Sequence, residues 1–388
     1  MKRLMLAAVS AAALMAPAHA ADTIKLGFMV GMTGAAGIVG EEQKRGLDLA
    51  LSDHDMKLGG VPVKVFVEDD KGDPSTAVQL ASKFTDEDKI DIMTGLTGSN
   101  TTIPVVPTLL DAGVWVVGAL AGPQEFAGKA CNQNAFYVSF ENEDWDDALA
   151  LYLNKSGVKS VYFMGADYQA GWEKIGGAMK FYKGKAYGPV YTPFQMQVDL
   201  APELSQVRAA NPDALFVFYP GGPGISFLKQ LAQSGLKIPL YSEDTLATEL
   251  SFGAEGDAAV GIIQSTSWSY ELDNPANKKF VSEFQAKYGR KPTIFAALQY
   301  DAVNLIDSAV AAVHGNIADK DAFRAALKKA DFQSVRGPFK FDNNHYPIQN
   351  IYLTEVVKDP DGKMHLALKG TAAEDWHDQY HDQCPLKG

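Results

Sequence analysis

The chain has 388 residues, 46% of them hydrophobic, and carries 47 acidic against 35 basic residues for a formal net charge of −12. That charge repels polyanions, so nucleic acid and anionic membrane surfaces are excluded as partners. The length exceeds what one core of ordinary size serves, and the composition is ample for two compact domains.

Met1-Lys-Arg, the apolar run from Leu4 to Met15 and the small-residue site Ala18-His-Ala20 predict a secretory signal peptide over residues 1–20. Its cleavage removes Lys2 and Arg3, leaving 33 basic residues against 47 acidic and a charge of −14. No later run is long and apolar enough to span a bilayer, so the mature chain is expected to be soluble and periplasmic. In that oxidising compartment Cys131 and Cys384 are expected to form one disulfide pinning the C-terminal tail, the alternative being two free buried thiols.

Strands are predicted at Ile24–Val30, Val63–Val67, Asp91–Thr94 and Val114–Val117, with helices over Glu41–Ser52 and Pro74–Phe84 between them. The same rhythm restarts at Phe136–Phe140. It continues through strands at Ser160–Met164, Ala186–Tyr191, Ala214–Tyr219 and Leu240–Ser242, with helices over Trp145–Lys155 and Ile225–Gln233. Gly261–Trp268 reads as a connection. Three helices follow, ending near Ala330, and the tail, Phe339–Leu368, reads as strands joined by the turn Asp359-Pro-Asp-Gly362. Strand–helix alternation implies parallel sheets covered by helices, here as two α/β lobes of similar design.

Ligands of such sheets sit at the carboxyl ends of the strands, facing helix N-termini. In Ile92–Pro104 the strand is expected to end near Gly95 and a helix to begin after Ser99 or Asn100, with Pro104 in its first turn. Thr97, Ser99, Asn100, Thr101 and Thr102 therefore crowd a place suited to an anion, unless Ser99 or Asn100 serves only as a cap. Val117–Pro123, with Ala119 and Ala121, ends another strand in small residues that allow close approach. From the second lobe, Gly165–Gly171 presents Tyr168, which either closes over the ligand or packs on its own helix. Phe218–Gly224 presents Tyr219, and Ser242–Thr245 presents Glu243 and Asp244, which are either site groups or solvated loop charges.

Several segments together resemble the periplasmic solute-binding proteins of the leucine/isoleucine/valine-binding type that serve ABC importers. They are Ile24-Lys-Leu-Gly-Phe with Thr33-Gly34, Asp69-Asp-Lys-Gly-Asp-Pro74, Gly95 to Ser99, Asp167-Tyr-Gln-Ala-Gly171 and Asp273-Asn-Pro-Ala-Asn277. The resemblance implies a type I periplasmic binding fold: two Rossmann-like lobes, three chain crossings and a cleft that closes like a hinge. The lobes are then expected at residues 21–138 plus 269–348 and 139–268 plus 349–388. It further implies that Ser99 binds a ligand carboxylate, that Tyr168 contacts the ligand from the second lobe, and that a membrane ABC permease receives the cargo. No cofactor or metal is implied, and a monomer is expected. Where amino-acid binders of the family carry a hydroxyl that meets the ligand ammonium, this chain aligns Ala121. Their acidic partner of that ammonium aligns with the shorter Asp244, and Val39 replaces a frequent aromatic. The expected ligand is a small carboxylate with a hydrophobic or aromatic body, walled by Tyr168, Phe218, Tyr219, Trp268 and Tyr270 unless these are core residues. A branched-chain amino acid is the alternative.

An enzyme is not indicated. Gly31–Gly37 has G-x-x-G-x-x-G spacing, not that of a dinucleotide loop, and no Walker, G-x-S-x-G or H-E-x-x-H pattern occurs. A hydrolase built on Ser99 needs a histidine base, and His54, His314, His345 and His365 fall away from the strand ends. His377 and His381, spaced i, i+4 beside Asp378, have zinc-ligand types but no third histidine nearby, and are expected at the surface. A receptor's sensing domain of this design would continue into a membrane helix, which the sequence lacks.

Overall fold

The computed structural model describes residues 22–386; the signal-peptide reading lies outside them. Among the described residues no helix is long and apolar enough to cross a membrane. In the first lobe the strands are β1 (Ile24–Val30), β2 (Lys57–Leu58), β3 (Val61–Asp69), β4 (Ile92–Gly95), β5 (Trp115–Gly118) and β6 (Ala135–Tyr137). Between them run α1 (Gly37–Asp53), α2 (Pro74–Lys83), α3 (Ser99–Asp111) and α4 (Gln124–Ala127). The sheet order is β2-β3-β1-β4-β5-β6, parallel except for the β2–β3 hairpin.

After β6 the chain crosses to the second lobe. Its elements are α5 (Asp144–Lys155), β7 (Ser160–Ala166), α6 (Gln169–Phe181), β8 (Lys185–Thr192), α7 (Ala201–Ala210), β9 (Ala214–Phe218), α8 (Gly222–Ser234), β10 (Leu240–Glu243), α9 (Phe252–Glu255) and β11 (Ile263–Thr266). The chain then returns to lobe one with α10 (Pro275–Tyr288), α11 (Ile294–Ala312) and α12 (Lys320–Lys329), whose Phe280, Phe295, Ile306 and Phe323 complete the core around Leu26, Phe28 and Trp115. A third crossing brings β12 (Lys340–Phe341), β13 (Pro347–Lys358) and β14 (Met364–Trp376), which extend the second sheet in the order β12-β13-β11-β10-β9-β7-β8 with β14 against β13. Residues 340–341, counted with the first lobe in the sequence reading, hydrogen-bond into the second sheet, although the Phe341 ring packs on Phe136 of the first.

Three expectations need correction. Gly261–Trp268 is not a connection: β11 lies inside the second sheet between β10 and β13. Its polar sequence Ile-Gln-Ser-Thr hid it, because the buried Gln264 amide satisfies both backbone groups of Ala247 instead of facing water. The α3 helix starts at Ser99 with Gly98 as its cap and no side-chain capping bond, so Pro104 and Pro107 lie inside the helix and neither Ser99 nor Asn100 is a cap. The tail strands are also much longer than expected, running to Trp376.

Cys131 and Cys384 form a disulfide with Cα atoms 5.7 Å apart, closing a separation of 253 residues. The ends of β4, β5, β7, β9 and β10 face one another across the lobes. A Cβ on Gly221 of the second lobe would lie 2.9 Å from the Ala35 carbonyl oxygen of the first, so the lobes are in contact at the cleft rim.

Candidate functional site

Between those strand ends lies a cavity lined from both lobes. The first lobe contributes Ala36, Val39, Thr97, Gly98, Ser99, Leu120, Ala121 and Phe295, and the second Tyr168, Ala170, Lys174, Phe194, Phe218, Pro220, Glu243 and Thr245. Phe140 and Asn142, on the first crossing, form its back.

The floor on the first lobe is set by backbone constraints. Gly95 turns with φ +95°, and Leu96 follows at φ +62°, unusual for a residue with a Cβ. This kink ends β4 and aims the start of α3 at the cleft. A Cβ on Gly122 would come within 1.7 Å of the Phe140 carbonyl oxygen, so only glycine lets the 118–123 loop lie against the crossing. Ser99, 1% exposed, stands at the first helical position of α3, where unpaired N–H groups and the helix dipole favour an anion. Its Oγ accepts from Asn142 Nδ2 at 2.9 Å, and the same amide donates to Glu173 Oε2 at 2.5 Å. With Oγ an acceptor on that side, the Ser99 hydroxyl can donate to a group held in the cavity it lines.

Lys174 was missed in the sequence. It is 3% exposed on α6, with Nζ 2.8 Å from the Asn142 carbonyl oxygen, 2.5 Å from Glu243 Oε2 and 3.6 Å from Asp146. The ammonium also lies 4.6 Å from the centre of the Phe140 ring and 5.3 Å from that of Phe218. Burial alone would discharge it, but Glu243 and Asp146 outweigh that effect and hold its pKa above the ordinary lysine value. A usable signal existed: Ala170, Lys174 and Ala178, at i, i+4 and i+8, form the buried stripe of α6, and a lysine on such a stripe requires a partner. Behind it, burial raises the carboxyls of Glu141, Asp144 and Asp146 well above the usual range and that of Asp147 to about 9, while the Lys174 ammonium opposes the rise at Asp146.

Of the residues singled out in the sequence, Val39, Thr97, Ser99, Ala121, Tyr168, Phe218 and Glu243 line the cavity. Thr97 donates to Gln43 Oε1 at 2.7 Å, and the Tyr168 ring stacks on Phe194 at 4.5 Å, with Phe218 at 6.0 Å. Four others are placed elsewhere. The Asn100 amide donates to the Gly72 carbonyl at 2.9 Å, on the outer side of α3. Ala119 is fully buried, with its N–H bonded to the Gly95 carbonyl. Tyr219 belongs to the second lobe's core, its hydroxyl 3.0 Å from Thr192 Oγ1 and its ring on Phe227. Asp244 is turned away from the cavity because successive residues at the end of β10 point to opposite faces: Glu243 reaches the cleft, and Asp244 faces Glu249, Trp268 and Tyr270 in the interior. Burial, reinforced by Glu249, raises its carboxyl well above the usual range. Trp268 and Tyr270 are likewise interior residues, bonded to Asn277 and the Leu366 carbonyl. Among the described residues no histidine lines the cavity; His345 packs flat on Phe136, and burial lowers its pKa to about 4.

A curated relative, "Leu/Ile/Val-binding protein homolog 6" of Brucella melitensis, is 28% identical over 378 residues, spanning 93% of this chain and 95% of that protein. Among solved structures, an ABC transporter solute-binding protein from R. palustris in complex with benzoate is 31% identical with a TM-score of 0.89, covering 94% of this chain and 100% of its own. A second, from Rhodopseudomonas palustris BisB5 in complex with 3,4-dihydroxybenzoic acid, is 26% identical with a TM-score of 0.84, covering 92% and 99%. The pattern characteristic of periplasmic binding proteins matches residues 23–363. With that match over most of the chain and two lobes enclosing a cavity, the chain belongs to the periplasmic binding protein family and is a solute-binding protein.

Proposed function

We propose that this protein is the periplasmic substrate-binding component of an ABC importer for small carboxylates with an aromatic or otherwise hydrophobic body and no α-amine. The observation that carries the reading is the Lys174–Glu243 pair. Glu243 is the one acidic residue among those lining the cavity, and a protein ammonium 2.5 Å away already occupies it. A ligand ammonium would have to displace or crowd Lys174, whereas a ligand carboxylate meets the Ser99 hydroxyl, the α3 N-terminus and a cavity whose one cation is Lys174. Phe140, Tyr168, Phe194, Phe218 and Phe295 offer faces and edges for a ring. The benzoate and 3,4-dihydroxybenzoic acid complexes of the two R. palustris proteins support the same class. In this reading Ser99 is the main hydroxyl donor, Tyr168 closes over the ring, and the three crossings, after β6, after β11 and ahead of β12, act as the hinge. The closed lobes then present the cargo to a membrane permease.

A thermal-shift panel tests it, set with benzoate, 3,4-dihydroxybenzoate, leucine, isoleucine and valine on ligand-stripped protein. A ligand at about a hundred times its Kd stabilises by about 2.7 kcal/mol, easily read as a raised Tm. The proposal expects shifts with the aromatic acids. Strong shifts with the three amino acids and none with the aromatic acids would replace it by branched-chain amino-acid binding, the reading that the Brucella melitensis relative's name favours.

A further inference from the structure

From the C-terminal tail we infer that Asp342, His377 and His381 form a binding site for a borderline divalent cation, with Zn²⁺ the best fit. Their ligand atoms lie within 4.8 Å of one another. The sequence concealed this because the third ligand is not the neighbouring Asp378 but Asp342, directly after β12 and 35 residues from His377. His377 directly follows β14, and His381 opens the short turn His381–Gln383.

Asp342 and His381 are each aimed by a bond outside the ligand set. Asp342 Oδ1 accepts the Asn343 N–H at 2.7 Å, which leaves Oδ2 2.5 Å from His377 Nδ1. His381 Nδ1 lies 2.5 Å from the Asp378 carbonyl oxygen, so the proton sits on Nδ1 and the lone pair of Nε2 is free. A histidine that donates one ring N–H to a carbonyl while ligating through the other is the usual support of a metal site. The two rings are 5.5 Å apart at 49°, not stacked, so their edges can turn to a common point. Tetrahedral zinc asks for roughly 3.4 Å between nitrogen and oxygen ligands, so the ion replaces the proton shared by His377 and Asp342 after a small side-chain rotation. Two imidazoles and a carboxylate suit zinc better than calcium or magnesium, which take oxygen ligands.

The surroundings favour a dication and hold the ligands still. Asp382 lies 3.4 Å from His381 Nε2 and is open to solvent, while His377 and His381 are 46% and 31% exposed, so the carboxylate or a water can take the fourth position. Asn343 Nδ2 donates to the His381 carbonyl, and Asn344 Nδ2 to Asp378 Oδ2 at 2.7 Å. Three residues beyond His381, Cys384 is tied to Cys131 of the first lobe, while Tyr380 bonds Glu143 Oε1 beside α5 of the second. A bound ion would thus brace the tail against the β12–β13 turn where both lobes meet it.

The test is calorimetric titration of untagged, disulfide-intact protein with Zn²⁺, accompanied by Co²⁺ absorption spectra and thermal melts. The expected result is saturable binding of one equivalent, tetrahedral d–d bands with Co²⁺ and a raised Tm. Asp342→Asn and His377→Ala should each weaken Zn²⁺ binding at least about tenfold, while His365→Ala, at a partly exposed histidine elsewhere, leaves it unchanged. His377→Ala trims a half-exposed ring, so the test stays decidable should Asp342→Asn fail to fold. Absence of stoichiometric binding, or undiminished affinity in His377→Ala, overturns the site.

Discussion

Replacing Ser99 by alanine removes one hydroxyl from a side chain that is 1% exposed, and the structure separates its two effects. As an acceptor, Ser99 Oγ holds Asn142 Nδ2 at 2.9 Å, while the other bond from that nitrogen goes to Glu173. Losing this neutral bond costs about 1 kcal/mol of stability, a modest fall in Tm. As a donor, the hydroxyl is available to a ligand in the cavity it lines, and a bond to a carboxylate contributes about 1.5–3 kcal/mol. Ser99→Ala should therefore weaken benzoate binding by about ten- to a hundredfold, measured by calorimetric titration, in a protein that still melts cooperatively. A dissociation constant within about twofold of the parent's would refute the role of Ser99 as the main hydroxyl donor.

Asp244→Asn should leave ligand affinity within about threefold, because Asp244 does not line the cavity; a loss of tenfold or more in the same titration would mean that it acts on the ligand after all. Burial raises the Glu249 carboxyl to about 7, so the native state holds a proton that the unfolded chain releases at lower pH. Its stabilising effect is present below pH ~4.5 and is lost as pH rises towards ~7, so Tm should fall across that interval and fall less in Glu249→Gln; identical Tm profiles of the two proteins would contradict this. Reducing the Cys131–Cys384 bond, which closes 253 residues, should lower stability by up to about 5 kcal/mol, and equal melting of oxidised and reduced protein would show that the tail needs no tether.

Most of the scaffold was legible because its signals are local. Apolar runs such as Ile24–Val30 and Ala214–Phe218 announce buried parallel strands, and Ser99 and Tyr168 sit at strand ends that open on the cavity. Legibility failed where a residue's meaning depends on a distant partner. The polar strand β11 is buried because Gln264 finds Ala247, Lys174 is tolerated inside because Glu243 and Asp146 surround it, and Asp342 joins two histidines only through the fold. The choice between Glu243 and Asp244 was a matter of one residue of strand register, since neighbours on a strand face opposite sides and a turn just beyond it decides which faces the cleft.

In the proposed function Lys174 stands where an amino acid's ammonium would need to be. Matched ligands test this most directly: calorimetric titration of ligand-stripped protein with 4-methylpentanoate against L-leucine, and with 3-phenylpropanoate against L-phenylalanine, each pair differing only in the α-ammonium. A buried like-charge contact with Lys174 predicts that the amine-free acid binds at least about tenfold more tightly in whichever pair fits the cavity. Tighter binding of the amino acid in either pair would contradict the account.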